Sequence, residues 1–158
     1  MTSLPQTSKG GLMPSLKIFL DASVILSGLA SSTGGSRKLL DAARVKKLKL
    51  VTTPWVIQEV NEHADKLGLK IEEVTKLLSR RTIHLYPNSP EEIVAKLARI
   101  TPDPDDAPVL AGAVTSGARV LVSLDKKHIL VPKVRQTLKP MKVVSPKMFW
   151  GWRSLANG

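Results

Sequence analysis

The sequence lacks the residues and runs that several common kinds of site require. It has no cysteine, which excludes disulfide bonds and thiolate metal sites and is compatible with a reducing cytoplasm. No uninterrupted apolar run approaches the roughly 20 residues that cross a bilayer. We therefore expect a cytoplasmic protein without a membrane partner.

Two further signals are missing. The first 15 residues are rich in Ser, Thr, Gly and Pro, but they lack the basic start and apolar core of a secretory signal. The loop Ser31–Ser36 lacks the Gly-Lys-Ser/Thr ending of a phosphate-binding P-loop. We predict a disordered leader at residues 1–15, one domain at residues 16–150 and a C-terminal tail at residues 151–158.

Acidic residues are scarce, with 13 against 24 Lys and Arg, a net charge of +11 and a pI near 10.1. This balance favours a polyanionic partner, with nucleic acid as the first candidate. A merely soluble basic protein and a protein that binds anionic membranes are the alternatives. The basic stretch after Ser36 is either a solvated helix face or a rim that contacts phosphates. The residues that we expect to contact nucleic acid are Arg37, Lys38, Lys126 and Lys127.

Apolar runs typical of buried strands alternate with amphipathic helical patterns along the chain. This alternation predicts an α/β sandwich with a mainly parallel sheet of about five strands. The predicted strands are Leu16–Leu20, Leu48–Thr52, Thr82–Tyr86, Arg119–Asp125 and Lys142–Val144.

Two of these strands end on aspartate, Asp21 and Asp125. In open α/β sheets, ligands bind in the crevice beyond the C-terminal ends of the strands. Both carboxylates would therefore face one site if the strands are parallel. Asp21 could instead serve only as the N-cap of the following helix.

The remaining candidate acids lie at predicted helix starts. Asp103, Asp105 and Asp106 occupy three of four consecutive positions, where a solvated helix start is the ordinary interpretation. Glu59 follows Val56 by three residues, at the border of an apolar helix stripe, where a solvated side chain is more usual. Among the clustered aspartates we favour Asp106 as the functional one, with Asp103 as a helper.

Four carboxylates brought together would repel one another unless cations or protons neutralised them, so a divalent metal is the natural occupant. The predicted ligands and catalytic residues are Asp21, Glu59, Asp106 and Asp125. Oxygen ligands suit Mg²⁺ or Mn²⁺, and we assign structural roles to the three histidines, His63, His84 and His128. Such a site hydrolyses phosphodiesters without a covalent intermediate. Ser23 and Ser123 would orient the carboxylates.

The same residues resemble the PIN-domain family of nucleases. Each of four segments looks like one of the family's acidic motifs, and together they cover about residues 16–150. The segments are Phe19–Ile25 (FLDASVI), Pro54–Val60 (PWVIQEV), Asp103–Ala111 (DPDDAPVLA) and Leu121–Asp125 (LVSLD).

This resemblance implies a three-layer Rossmann-like fold and Mg²⁺- or Mn²⁺-dependent endoribonuclease activity, with the four carboxylates as the site. It also implies a homodimer and an antitoxin partner, because many bacterial members are toxins held inactive by one. Ser23 stands where the family often has asparagine, and Leu124 where glycine is common.

Two other functions fit parts of the pattern. A non-catalytic RNA- or DNA-binding module would keep the fold and the basic surface without turnover. A metal-dependent phosphatase for small phosphoesters would use the acids but leaves the excess positive charge unexplained.

Overall fold

The computed structural model describes residues 16–157, with side chains as far as Arg153. The predicted leader at residues 1–15 lies outside the described residues. Five strands form the sheet: β1 (Leu16–Leu20), β2 (Leu48–Thr52), β3 (Ile83–Leu85), β4 (Val120–Val122) and β5 (Lys142–Val144).

Eight α-helices connect and flank the strands. They are α1 (Ala22–Ala30), α2 (Gly35–Arg44), α3 (Pro54–Ala64), α4 (Ile71–Ser79), α5 (Glu91–Ala98), α6 (Ala107–Thr115), α7 (Pro132–Leu138) and α8 (Pro146–Asn157). A 3₁₀ turn, Asp65–Leu67, follows α3, and another, Pro104–Asp106, precedes α6. No helix of the described chain has the length and apolar character needed to cross a membrane.

The sheet is parallel throughout, in the order β3-β2-β1-β4-β5. The predicted α/β class and the number of strands are confirmed. The chain builds outward from β1 to β3 on one side and from β4 to β5 on the other. The order therefore reverses between β1 and β4, which makes the crevice beyond their C-terminal ends the expected ligand site.

The apolar runs form strands because both faces of this sheet are covered. Ile18, Phe19 and Leu20 of β1 are fully buried. In β4 no residue has more than 1% of its surface exposed. Proline at the first position starts α3, α7 and α8, since it needs no hydrogen-bond partner there. The helix α7 was not predicted, although Val134 and Leu138, four residues apart, form its buried side.

The C-terminal segment is helical without a break across residue 150. Phe149 is fully buried and packs edge-to-face against Trp150 and Trp152. The predicted division between a domain ending at residue 150 and a tail at residues 151–158 thus falls inside α8.

The helix α6 approaches the sheet closely at Gly112. A methyl group there would lie 2.9 Å from Phe19 Cζ and 3.0 Å from Thr53 Cγ2. Both neighbours are buried, so the helix could not accept a side chain without moving. This close contact packs the middle of α6 against the end of β1 and the residue that follows β2.

We expect Gly112→Ala to lower the free energy of unfolding by roughly 1–3 kcal/mol, because the added methyl overpacks a core that cannot yield. Urea denaturation measures the change. Gly151→Ala in α8 is the control, since a methyl there meets nothing within 4 Å. Equal stability of the two variants would contradict the packing argument.

Candidate active site

Four carboxylates lie beyond the C-terminal ends of the strands. Asp21 follows β1 directly, and Asp125 lies three residues after β4. Asp106 is the N-cap of α6, and Glu59 lies in the second turn of α3, which follows β2. The topology thus brings all four to the crevice between β1 and β4 and its neighbourhood.

Asp21 is the most buried of these acids, with 7% of its surface exposed. Its Oδ1 accepts a hydrogen bond from the backbone N–H of Ala22 at 2.8 Å, and its Oδ2 accepts one from Ser123 Oγ at 2.7 Å. Burial raises the pKa of Asp21, and repulsion from Asp125 adds to the rise, whereas the hydrogen bonds oppose it. The N-cap interpretation holds in part, but it accounts for only one carboxylate oxygen.

Two serines join the end of β1 to the loop after β4. Ser123 Oγ donates to Asp21 and accepts from the backbone N–H of Asp125 at 3.0 Å. Ser23 Oγ lies 3.4 Å from Asp21 Oδ2 and accepts from the N–H of Leu124 at 3.1 Å. Both serines therefore contact the carboxylate that they were expected to orient.

Asp106 does not use its carboxylate to cap α6, although it begins the helix. Its Oδ2 is buried and has no hydrogen-bond partner among the described residues. Burial raises the pKa of Asp106 to about 6, helped by repulsion from Asp125, Asp21 and Asp103. Asp103 caps the 3₁₀ turn before α6, because its carboxylate accepts a hydrogen bond from the N–H of Asp105 at 3.0 Å.

Glu59 is half-buried and faces this group. Burial raises its pKa to about 7, and repulsion from Asp21 and Asp106 contributes next. Glu59 is therefore partly desolvated, and it is repelled by the buried Asp21 and the half-buried Asp106.

His128 belongs to the cluster, contrary to the structural role assigned to it from the sequence. Its Nδ1 lies 3.2 Å from Asp125 Oδ2 and 3.6 Å from Asp106 Oδ2. Asp125 Oδ1 accepts from the backbone N–H groups of Lys127 and His128, both at 3.0 Å. The sequence signal that could have identified His128 is its three-residue spacing from Asp125, since side chains spaced by about one turn of the chain point to the same side.

The ligand atoms of Asp103, Asp106 and His128 lie within 4.8 Å of one another, the one group of three that meets this criterion in the described chain. The group shares only Asp106 with the predicted four carboxylates. No three of the predicted four carboxylates meet the same criterion among the described residues.

The predicted nucleic-acid contacts divide into two kinds. Arg37 bonds within the chain, with Nε 3.4 Å from Asp41 Oδ1, and Lys38 Nζ lies 5.7 Å from the Trp150 ring centre. Lys126 and Lys127 are exposed beside Asp125. A cavity of about 430 Å³ next to this loop is lined by Lys126 together with Ser31, Lys147 and neighbouring residues.

No curated protein sequence matches the chain. A family model described as PIN domain matches residues 17–127. The chain belongs to the PIN domain family. This membership confirms the resemblance found in the acidic motifs, and at the level of the family it supports a nuclease.

Three solved structures resemble this PIN domain. PAE2754 from Pyrobaculum aerophilum is 18% identical with a TM-score of 0.58, covering 85% of this chain and 92% of its own. VapBC2 from Rickettsia felis, bound to a DNA fragment from their promoter, is 14% identical with a TM-score of 0.56, covering 82% and 97%. VapC20 from Mycobacterium tuberculosis, a sarcin–ricin loop cleaving toxin, is 14% identical with a TM-score of 0.50, covering 68% and 89%. At these identities the likeness shows the fold alone.

The raised pKa values make the metal-free PIN domain less stable as pH rises. Glu59 and Asp106 bind protons more tightly in the folded state, so their stabilising contribution is full below about pH 4 and is lost as pH rises through about 6 to 7. We expect the free energy of unfolding of Glu59→Gln/Asp106→Asn, relative to that of the parent, to increase as pH is raised from about 4 to about 8.

Denaturation in the presence of a chelator at both pH values measures the difference. Glu72→Gln, an exposed carboxylate of α4, is the control for the change of charge. A stability difference between the double variant and the parent that does not change with pH would contradict the assignment.

Proposed function

We propose that this PIN domain is a metal-dependent endoribonuclease that hydrolyses phosphodiester bonds of RNA. The observation that carries it is the group of mutually repelling, half-buried to buried carboxylates at the point where the strand order reverses. A purely structural role would leave these acids solvated or paired with cations. Here burial and repulsion oppose their charges. The buried Oδ2 of Asp106 has no hydrogen-bond partner among the described residues, and His128 Nδ1 lies 3.6 Å from it.

The donor set fits a divalent cation of the Mg²⁺ or Mn²⁺ type. Asp21, Glu59, Asp106 and Asp125 supply oxygen atoms, which such ions prefer. The buried, unpartnered Oδ2 of Asp106 is the kind of atom that a cation would satisfy. When bound, the ion lowers the pKa of a water molecule and stabilises the charge that develops on the phosphate.

The protein's own groups position the reaction. Ser123 fixes Asp21 through a 2.7 Å hydrogen bond, and the backbone N–H groups of Lys127 and His128 fix Asp125. Glu59 completes the carboxylate group, since Asp21 and Asp106 both repel its charge. His128 can hold Asp125 and Asp106 in a fixed relation through Nδ1.

The net charge of +11 supports a polyanionic substrate, since a small phosphoester would need no such excess. Lys126 and Lys127, exposed beside Asp125, are the nearest predicted contacts for its phosphates. A toxin role with a cognate antitoxin, a cytoplasmic location and a homodimer complete the proposal. The likeness to the toxin VapC20 supports the first of these through the shared fold.

We expect the purified protein to cleave RNA when Mn²⁺ or Mg²⁺ is present and to stop when a chelator is added. Asp21→Asn and Asp106→Asn should each lower the rate roughly 10²-fold or more, because each removes a charge from the site. Gel analysis of a labelled RNA measures the rate, and Asp65→Asn, an exposed acid in the 3₁₀ turn after α3, is the control.

RNA bound without cleavage would instead indicate a non-catalytic nucleic-acid-binding module. Cleavage that survives both substitutions would show that the carboxylates are not catalytic.

The two ligand sets make different demands on Glu59 and Asp103. If the four carboxylates hold the ion, Glu59→Gln should weaken Mn²⁺ binding by about tenfold or more, and Asp103→Asn should weaken it less. The rise in thermal stability with Mn²⁺, in the absence of RNA, measures the affinity. Loss of Mn²⁺ binding in Asp103→Asn alone would favour the set of Asp103, Asp106 and His128.

A further inference from the structure

A second charged cleft lies at the opposite ends of the strands. It has a volume of about 670 Å³ and opens between the C-terminal ends of α2 and α4 and the starts of β2 and β3. The five-residue strand β2 separates it from the carboxylate site by roughly 16 Å. The cleft is lined by Ala43, Arg44, Lys46, Leu48, Lys49, Arg80, Arg81, Thr82 and His84.

Five of these nine residues are cations and none is an acid. Arg44 bonds Asp41 on its own helix at 3.1 Å, but Asp41 lies outside the cleft. No ion pair of the described chain involves Lys46, Arg80 or Arg81. Apart from Arg44, the cations of the cleft therefore carry positive charge that no acid of the described residues pairs.

Two of the cations stand where glycine would be easier to accommodate. Lys46 and Arg81 have φ values of 61° and 55°, in the left-handed region that side chains disfavour. Two other helix ends are also followed by a residue with positive φ, and there the residue is glycine. Gly68 follows the 3₁₀ turn after α3, and Gly117 lies just beyond α6. Cationic side chains thus occupy the strained positions only where they line the cleft.

The field of these cations acts inside the cleft. The pKa of His84 is lowered, first by burial and then by repulsion from Lys49 and Arg81. An anion bound among these groups would reverse the repulsion and favour the charged imidazolium.

Compensation of helix dipoles is the ordinary explanation for cations at helix C-termini. It accounts for Arg44 in the last turn of α2 but not for Lys46 or Arg81, which lie beyond the ends of α2 and α4. It also gives no reason to accept positive φ at both Lys46 and Arg81, since a cation elsewhere in the last turn would serve the dipole equally well.

We propose that this cleft binds backbone phosphates of RNA at a second site, remote from the carboxylates. The identity of the polyanion as RNA rests on the function proposed above; its phosphate chemistry rests on the charge of the cleft. An RNA strand that reaches both ends of the sheet gains affinity from the cleft, whereas the acidic site itself repels phosphate.

The test uses the full chain carrying Asp106→Asn, so that RNA stays intact, and poly(U) as the probe. Lys46→Gly/Arg81→Gly removes two phosphate contacts and should weaken binding roughly 10- to 30-fold near 0.1 M salt. The slope of log affinity against log salt should fall by about 1.4. The melting temperature should stay level or rise, since glycine relieves the positive φ.

Lys96→Gln/Arg119→Gln is the matched control, because it removes two exposed cations outside the cleft. Its salt slope should stay close to that of the parent. Equal loss of affinity in the control and the cleft variant would overturn the assignment, as would a lower melting temperature of the cleft variant with unchanged RNA binding.

A second measurement locates the RNA. The pKa of His84, followed by NMR, should rise when poly(U) binds the Asp106→Asn protein, and an unchanged value would overturn the cleft site. The two proposals fail separately. If the parent does not cleave RNA with Mn²⁺ but the cleft variant still loses poly(U) affinity, the nuclease proposal fails and the cleft stands.

Discussion

The hydrogen bond from Ser123 Oγ to Asp21 Oδ2 ties together the two halves of the sheet where the strand order reverses. The same hydroxyl accepts from the N–H of Asp125, so one buried atom sets both strand-end carboxylates. Asp125 in turn binds the N–H and approaches the ring nitrogen of His128, which reaches Asp106 at the start of α6. The arrangement of the site thus depends on a contact between residues 102 positions apart.

Electrostatic repulsion is the cost of this arrangement. Burial and neighbouring acids raise the pKa values of Asp21, Glu59 and Asp106, so the folded chain holds like charges where water solvates them poorly. Sequences that were selected only for stability would cap α6 with Asp106 or pair it with a cation. In this chain the Asp106 carboxylate caps nothing and approaches only the His128 ring among basic groups of the described residues, at 3.6 Å. Asp103 caps the 3₁₀ turn Pro104–Asp106 and not α6. Such a group of acids gains stability only when a cation or protons enter it.

A parallel sheet separates the two ends of its strands by the strand length, and here the ends carry opposite charge. Acids gather at the C-terminal ends, and a cleft with cations such as Lys46, Arg80 and Arg81 lies at the N-terminal ends. An acidic site cannot by itself attract a polyanion. Affinity for any polyanion must therefore come from cations elsewhere on the surface, and separation by the sheet keeps the cations of the cleft from neutralising the carboxylates.

The sequence by itself determined the α/β class, all five strands and the acids at the strand ends, because apolar runs, prolines at helix starts and strand-terminal aspartates are local signals. It also singled out Asp106, because that residue begins a predicted helix, and the two serines, because each lies two residues from a strand-end aspartate. The tertiary structure alone decided that Asp106 caps nothing, that Glu59 is desolvated, that His128 joins the carboxylates and that Lys46 and Arg81 share a cleft. These features depend on which distant residues burial and topology bring together, and periodicity along the chain carries no information about that.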